Sequence, residues 1–251
     1  MDNTLTCPVC RSDCALYDVV DFNKSCEEAR GQYLPLSGTP VYYAACPACD
    51  FCYAPELYQW NLERFESEIY NQGYAAVDPD YLEIRPRNNA ETLVTTFGAA
   101  AHTIRHLDYG GGNGHLAQSL QQRGWNSRSY DPFVDRTVDI QQLGRFELIT
   151  AFEVFEHVPD VPALMASLKL LLAPDGIVLF STLISDGNLQ RGQRLTWWYA
   201  SPRNGHISLY SAKSLQILAA TYGFRFASFS AGLHLFCGEL PDWAQHLIEA
   251  A

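Results

Sequence analysis

Residues 103–124 hold the feature that most narrows what this chain can be. A short strand over Thr103–Asp108 runs into Asp108-Tyr109-Gly110-Gly111-Gly112-Asn113-Gly114, and a helix over His115–Arg123 follows, stopped by Gly124. A strand that ends in an acid and turns through alternating glycines into a helix has few uses. Glycine reaches positive φ without a Cβ penalty, and its missing side chain lets a ligand approach the main chain. The N–H groups that open the helix then point at that ligand. In an open α/β sheet such a turn lies at the carboxyl end of a strand, where these sheets bind ligands. The turn predicts a nucleotide-like ligand.

The register of the glycines narrows the ligand further. A dinucleotide fingerprint needs Gly-x-Gly-x-x-Gly, but counting from Gly110 and Gly112 its third position falls on His115. A phosphate-binding P-loop needs Gly-Lys-Ser/Thr, which does not follow. Seventeen residues after Gly114, at the end of a second strand over Asn126–Tyr130, stands Asp131. An acid there can accept hydrogen bonds from both hydroxyls of a ribose. Further on, Phe146–Phe152 and Gly176–Leu183 read as apolar strands, and Asn89–Ala100, Val161–Leu172 and Ser211–Tyr222 read as helices. Two last strands are expected near Phe224–Ser230 and Leu233–Cys237. This alternation predicts a mostly parallel sheet covered by helices on both faces.

Together these residues resemble the class I S-adenosylmethionine-dependent methyltransferases, whose first motif is Asp-x-Gly-x-Gly-x-Gly and whose second strand ends in an acid. The resemblance covers about residues 88–240. It includes Phe146-Glu147-Leu148-Ile149-Thr150-Ala151-Phe152-Glu153-Val154-Phe155-Glu156-His157-Val158 as fourth strand and loop. It also includes Leu171-Leu172-Ala173-Pro174-Asp175-Gly176 before the fifth strand and Gly205-His206-Ile207-Ser208-Leu209-Tyr210-Ser211 before the last helix. The resemblance implies a Rossmann-like, seven-stranded, mostly parallel α/β sheet. It implies that Asp108, Gly110, Gly112 and Gly114 line the methionine part of S-adenosylmethionine, that Asp131 holds its ribose, and that Ala151, Phe152 and Glu153 border it. S-adenosylhomocysteine would be the product. Only 14 residues separate Asp131 from Phe146, so the third strand is expected to be very short, with Asp139 as the adenine-side candidate.

The first 54 residues differ from the rest. They hold seven of the eight cysteines, including Cys7-Pro8-Val9-Cys10 and Cys46-Pro47-Ala48-Cys49. Each Cys-x-x-Cys knuckle turns two thiolates toward one centre, and two knuckles complete the four-sulfur shell of structural zinc. Cys7, Cys10, Cys46 and Cys49 are the expected ligands, with Cys14 and Cys52 as competitors. Disulfides are the alternative use of these thiols. A closed four-cysteine site has no position left for substrate, so its expected role is structural. This arrangement resembles bacterial methyltransferases with an amino-terminal four-cysteine zinc motif, among them sugar C-methyltransferases and enzymes of polysaccharide clusters. The expected organisation is a zinc-ribbon-like module over 1–54, a helical linker or lid over 55–87, and a methyltransferase domain over 88–251.

Methyl transfer needs alignment of the acceptor and, for some acceptors, removal of a proton. Glu153, Glu156 and His157 follow the fourth strand, and His206 lies in a later loop; His157, His206 and Glu153 are the catalytic candidates. Packing or loop-tying roles for these histidines stay open beside the catalytic one. Trp197, Trp198 and Tyr199 are candidates for a substrate wall, Tyr70, Tyr74 and Tyr81 for a lid, and Arg85 and Arg87 for an anion contact; plain packing or solvation is the alternative for each.

The formal net charge of -11 argues against a nucleic-acid substrate, since such binding rests on Lys and Arg at phosphates. The opening residues carry no basic leader or apolar signal core, and no apolar run approaches the roughly 20 residues that span a bilayer. A cytoplasmic protein with no membrane partner is therefore expected. The favoured reaction is methyl transfer to a small-molecule or saccharide acceptor. An RNA methyltransferase with a zinc module, a non-enzymatic zinc- and cofactor-binding interaction protein and a nicotinamide dehydrogenase remain as alternatives, the last weakened by the glycine register.

Overall fold

A computed structural model of the chain describes residues 5–249; the start of the chain, read above as carrying no leader, lies outside the described residues at positions 1–4. The chain forms two compact units. One gathers the residues up to Pro79 with Phe155–Pro162 and Leu183–Leu218, and the other gathers Asp80–Val154, Ala163–Thr182 and the segment from Ala219 onward.

The first unit is built on an antiparallel sheet of β1 (Leu5–Thr6), β2 (Asp13–Asp21), β3 (Pro40–Ala45), β4 (Cys52–Tyr53) and β9 (Ser208–Leu209), in that order. β9 comes from far along the chain and pairs with β4 through Cys52–Leu209 and Tyr53–Ser208. Its core holds Tyr43, Phe51, Leu57, Phe65, Ile69 and Tyr210, all at most 1 % exposed. The stretch over 55–87, expected to be helical, begins with a 3-10 turn over Leu57–Gln59 and a helix over Leu62–Glu68. Asn61 starts that helix by accepting a hydrogen bond from Arg64 N–H.

The second unit carries the sheet predicted for a nucleotide site. Its strands are β5 (Arg105–Tyr109), β6 (Asn126–Tyr130), β7 (Phe146–Phe152), β8 (Leu172–Ser181), β10 (Arg225–Ser228) and β11 (Leu233–Cys237). They lie in the order β10-β11-β8-β7-β5-β6, with β6, β5, β7 and β8 parallel and β11 antiparallel to both neighbours. On one face Leu148 of β7, the alternate residues Ile177 and Leu179 of β8 and Leu235 and Cys237 of β11 pack in a core with Leu93 and Phe97 from one helix and Leu116 and Leu120 from another. The helix carrying Leu93 spans Ile84–Phe97 rather than starting at Asn89. Pro86 is tolerated because it falls in the first turn, where its missing N–H has no partner to lose.

Among the described residues this sheet has six strands, not seven, because the expected third strand does not form. Between Asp131 and Phe146 three aspartates capture main-chain N–H groups instead of leaving them for a ladder. Asp131 accepts from Phe133 N–H, Asp135 from Asp131 N–H and Asp139 from Gln141 N–H. Such local side-chain bonds favour turns over strands. Asp139 is exposed and caps a 3-10 turn over Ile140–Leu143. Among the described residues no helix is long and apolar enough to cross a membrane.

Candidate functional site

The glycine turn leaves β5 and is tied to the end of β6 by its main chain. Gly110 N–H donates to Tyr130 O at 2.8 Å, and Gly112 N–H donates to Asp131 Oδ2 at 2.9 Å. Gly110, Gly112 and Gly114 take φ of 74°, 53° and 75°, the left-handed region that glycine enters freely. At Gly110 a Cβ would also lie 2.5 Å from Val154 Cγ2. Around the Cβ position of Gly112 nothing lies within 4 Å, so this glycine serves its conformation alone.

Gly111, which the motif leaves as an unspecified residue, is the most confined of the four. Its φ is ordinary, yet a Cβ there would stand 2.4 Å from both Asp108 Oδ2 and Ser129 Oγ. The turn is thus pressed onto the Asp108 carboxyl. Sequence reasoning passed over Gly111 because no backbone angle marks it.

Asp108 is 4 % exposed, and burial pushes its pKa up to about 7 against the Thr150 hydrogen bond that lowers it. Thr150 Oγ1 donates to Asp108 Oδ1 at 3.0 Å, His106 Nε2 lies 2.9 Å from Thr150 Oγ1, and His106 Nδ1 lies 2.7 Å from Ser127 Oγ. Since Thr150 spends its hydrogen on Asp108, it accepts from His106 Nε2–H. His106 is then the Nε2–H tautomer, and its Nδ1 accepts from Ser127. Burial holds the imidazole neutral, with a pKa lowered to about 3. A directed chain Ser127–His106–Thr150–Asp108 therefore braces the acid that opens the turn. His106→Phe, by orphaning the Ser127 and Thr150 hydroxyls, is expected to cost about 2–4 kcal/mol in urea unfolding.

The Asp108 shift also has a pH signature. A carboxyl whose folded pKa exceeds the unfolded value near 3.9 binds its proton more tightly in the folded chain. Its contribution to stability is therefore lost as pH rises from about 4 to about 7. Asp108→Asn is expected to flatten the fall of unfolding free energy over that window, measured by chemical denaturation of the ligand-free chain. An identical slope in the variant would show that other groups carry it.

At the end of β7, Ala151 is buried and Phe152 half-buried. Glu153 follows with φ 54°, an uncommon conformation for a side-chain-bearing residue. Its N–H donates to Ser181 Oγ, which donates back to Glu153 Oε1, both at 2.8 Å. Arg85 Nη1 lies 3.9 Å from Glu153 Oε2. Arg85 and the exposed Arg87 lie in the first turns of the helix Ile84–Phe97. Asp108, the glycines, Asp131, Ala151, Phe152 and Glu153 all fall in the second unit; His157 and His206 fall in the first.

In the first unit Cys7, Cys10, Cys46 and Cys49 come together, with one sulfur of each within 4.8 Å of the others. Cys7 and Cys49 sulfurs are 3.6 Å apart, and Cys10 and Cys46 sulfurs 3.4 Å. A tetrahedral centre with metal–sulfur bonds near 2.3 Å needs sulfurs about 3.8 Å apart, so this set fits. The knuckles fold alike. Cys7 N–H donates to Ser12 O and Arg11 N–H to Cys7 O, just as Cys46 N–H donates to Phe51 O and Asp50 N–H to Cys46 O. The residue after each knuckle, Arg11 and Asp50, takes positive φ, 66° and 58°. A thiol hydrogen bond from Cys49 pulls the Cys7 pKa down to about 5, while that same contact raises Cys49. Neither competitor is one of these four. Cys52 lies in β4, fully buried with its thiol pKa raised by that burial, while the Cys14 thiol borders the cluster, its pKa raised by burial and by the neighbouring Cys7 and Cys46 thiols.

The same unit gathers Glu156, His157 and His206, again with ligand atoms within 4.8 Å of one another. The Tyr199 hydroxyl donates to Glu156 Oε1, and the Tyr199 carbonyl lies 2.9 Å from His206 Nδ1. Tyr199 is 2 % exposed, so its ring is core here, and Trp197 beside it is 8 % exposed. Tyr70 Oη lies 3.1 Å from His157 Nδ1, and Tyr74 Oη donates to Asn204 O at 3.3 Å. Tyr81 belongs to the other unit and is 37 % exposed.

Comparison with known proteins agrees with this geometry. Residues 81–228 match the family described as "Methyltransferase domain". The ubiquinone biosynthesis O-methyltransferase of Actinobacillus pleuropneumoniae serotype 7 is 30 % identical over 104 residues, 31 % of this chain and 44 % of that protein. The enzyme of the same description from Aromatoleum aromaticum is 35 % identical over 69 residues, 28 % of this chain and 27 % of that protein. The chain thus spans less than half the length of these curated relatives. Among solved structures, Burkholderia thailandensis 1,6-didemethyltoxoflavin-N1-methyltransferase, with bound 1,6-didemethyltoxoflavin and S-adenosylhomocysteine, is similar with a TM-score of 0.50 at 16 % identity. That likeness covers 82 % of this chain and 96 % of the other. Human N-acetylserotonin methyltransferase in complex with S-adenosylmethionine gives a TM-score of 0.50 at 18 % identity, covering 72 % of this chain and 61 % of that one. The directed β5–glycine turn–helix unit, its acid at the end of β6 and the family match over more than half the chain lead to one conclusion: the chain belongs to the methyltransferase domain family and has the Rossmann-like fold of its class I, S-adenosylmethionine-dependent members.

Proposed function

We propose that this protein transfers a methyl group from S-adenosylmethionine to a small-molecule or saccharide acceptor. The observation that carries the reading is the turn itself: three glycines at positive φ, one of them with open space at its Cβ position, hydrogen-bonded to an acid at the end of the neighbouring strand. The bound donor supplies an activated sulfonium methyl. Gly110, Gly112 and Gly114 let its methionine part approach the main chain, with the buried Asp108 beneath. Asp131 takes the ribose hydroxyls, and Ala151, Phe152 and Glu153 border the donor. Asp131 already accepts from Gly112 and Phe133 N–H, so it shapes the turn as well. On the acceptor side the candidates are His157 and His206, with Glu153 at the strand end.

Cys7, Cys10, Cys46 and Cys49 hold structural zinc in this reading, supported by their sulfur spacing and paired knuckles. All eight cysteines are unbridged, which suits a reducing, cytoplasmic setting. The small-molecule acceptor is supported by the small-molecule chemistry of the similar ubiquinone biosynthesis O-methyltransferases and by the net charge of -11, which disfavours nucleic acid. The test is transfer of isotopic methyl from S-adenosylmethionine across a panel of phenols, amines and saccharides. Label in one acceptor class with matching S-adenosylhomocysteine release is the expected result; label in RNA alone would overturn the acceptor assignment.

A further inference from the structure

Glu156 and His157 sit on the short turn Phe155–His157, and His206 lies in the loop after Pro202–Asn204. Glu156 is fully buried and His206 is 4 % exposed. A carboxylate taken out of water is costly unless positive charge compensates it. Both rings beside it are oriented in the same way. His157 Nδ1 lies 3.1 Å from Gly205 O, and His206 Nδ1 lies 2.9 Å from Tyr199 O. A carbonyl only accepts, so the bond to Tyr199 O puts the His206 hydrogen on Nδ1 and its lone pair on Nε2. His157 Nδ1 lies 3.1 Å from both Gly205 O and Tyr70 Oη, and the tautomer that donates to the carbonyl leaves its Nε2 lone pair for a ligand. Histidines that ligate metals are held by this kind of bond from the other ring nitrogen.

The supporting residues are specific. Tyr199 orients two of the three groups at once, Glu156 through its hydroxyl and His206 through its carbonyl. Gly205, at φ 88°, has no room for a side chain: a Cβ would stand 2.6 Å from Tyr70 Oη and 3.1 Å from His157 Nδ1.

We propose that Glu156, His157 and His206 form a divalent-metal site, separate in ligand chemistry from the four cysteines. Two imidazoles and a carboxylate suit zinc, iron, manganese or cobalt. Bonds of about 2.1 Å allow ligand atoms up to about 4.2 Å apart, so the observed spacing closes with side-chain shifts of less than about 1 Å. Three protein ligands leave coordination positions for an oxygen of water or of a hydroxyl- or carboxylate-bearing small molecule. The site rests on residues of one unit and does not depend on the methyl-donor reading. The competing arrangement is a proton in place of the ion, giving an imidazolium beside Glu156.

Manganese distinguishes the two, because it avoids thiolates and accepts nitrogen and oxygen ligands. The full chain, with zinc content measured beforehand, is titrated with Mn²⁺ and the unbound ion is followed by electron paramagnetic resonance. One bound Mn²⁺ per chain is expected. Glu156→Gln and His157→Gln should each weaken it by about tenfold or more, with cysteine-bound zinc and far-ultraviolet circular dichroism unchanged. If Glu156→Gln does not fold, the half-buried His157 supplies the deciding variant. Should zinc already fill the site, wild type would carry two zinc ions and His157→Gln one, which supports the proposal equally. A single zinc with no manganese uptake in wild type, or equal uptake in wild type and His157→Gln, would overturn it in favour of the protonated cluster.

Discussion

Gly111→Ala is expected to destabilise the chain by about 3 kcal/mol, while Gly112→Ala costs about 1 kcal/mol. The family motif predicts the reverse order, because it specifies Gly112 and leaves Gly111 open. The structure separates two reasons for a glycine. Gly112 needs a positive φ, and a Cβ there meets nothing within 4 Å, so alanine pays only the left-handed penalty. Gly111 has an ordinary φ, but its Cβ would enter the space of a carboxylate oxygen and a hydroxyl at 2.4 Å each. Neither atom is the loose end of a long side chain. Asp108 is buried and tethered through Thr150 and His106, so the turn itself must shift. The same shift should weaken binding of S-adenosylhomocysteine. Thermal and urea unfolding of the two variants checks the order; equal losses would show that Asp108 relaxes freely and that the bracing chain is soft.

Cys46→Ser is expected to release the zinc proposed for the cysteine cluster and to unfold the region around the knuckles. Binding free energies for structural zinc are on the order of 10 kcal/mol, so losing one thiolate removes a large share of this region's stability. The loss falls mainly on the knuckles: β1 and β4 have two residues each, and each knuckle is closed by two main-chain hydrogen bonds, whereas the β2–β3 ladder and the buried Tyr43, Phe51 and Tyr210 hold the rest of the unit. Cys14→Ser is the control and should keep its metal, because Cys14 borders the cluster without being one of the four whose sulfurs gather. Elemental analysis with thermal unfolding reads both. Metal retained in Cys46→Ser, or lost in Cys14→Ser, would mean a different ligand set.

Much of the donor-binding fold was legible because it depends on local signals. The glycine turn, the apolar runs of β7 and β8, and the Gly124 stop mark strands and helices without tertiary information. Boundaries moved where one residue type has two uses, as at Pro86, which ends many helices but opens this one. The missing third strand turned on Asp131, Asp135 and Asp139 binding main-chain N–H groups nearby. That competition is local, but spacing alone does not show which aspartates will win it. The candidate site was less legible where its partners are distant in sequence. His106, Thr150 and Ser127 read as ordinary strand residues until pairing of β6, β5 and β7 sets them side by side. For Tyr199 the sequence leaves substrate wall and core packing both open, and its hydroxyl bond to Glu156, 43 residues away, carries no sequence mark. The four cysteines were readable because paired Cys-x-x-Cys spacing encodes its own geometry.

The central claim is that the turn at Gly110–Gly114 and Asp131 bind the methyl donor, and calorimetric titration with S-adenosylhomocysteine tests it most directly. Asp131→Asn is the informative variant: it keeps an acceptor for Gly112 N–H but loses one of the two that a ribose diol requires. Wild type is predicted to bind one equivalent, and Asp131→Asn to bind with a loss of about 1–3 kcal/mol, with a lowered melting temperature without ligand because Phe133 N–H loses its acceptor. No binding by wild type, or equal affinity in the two proteins, would contradict the assignment.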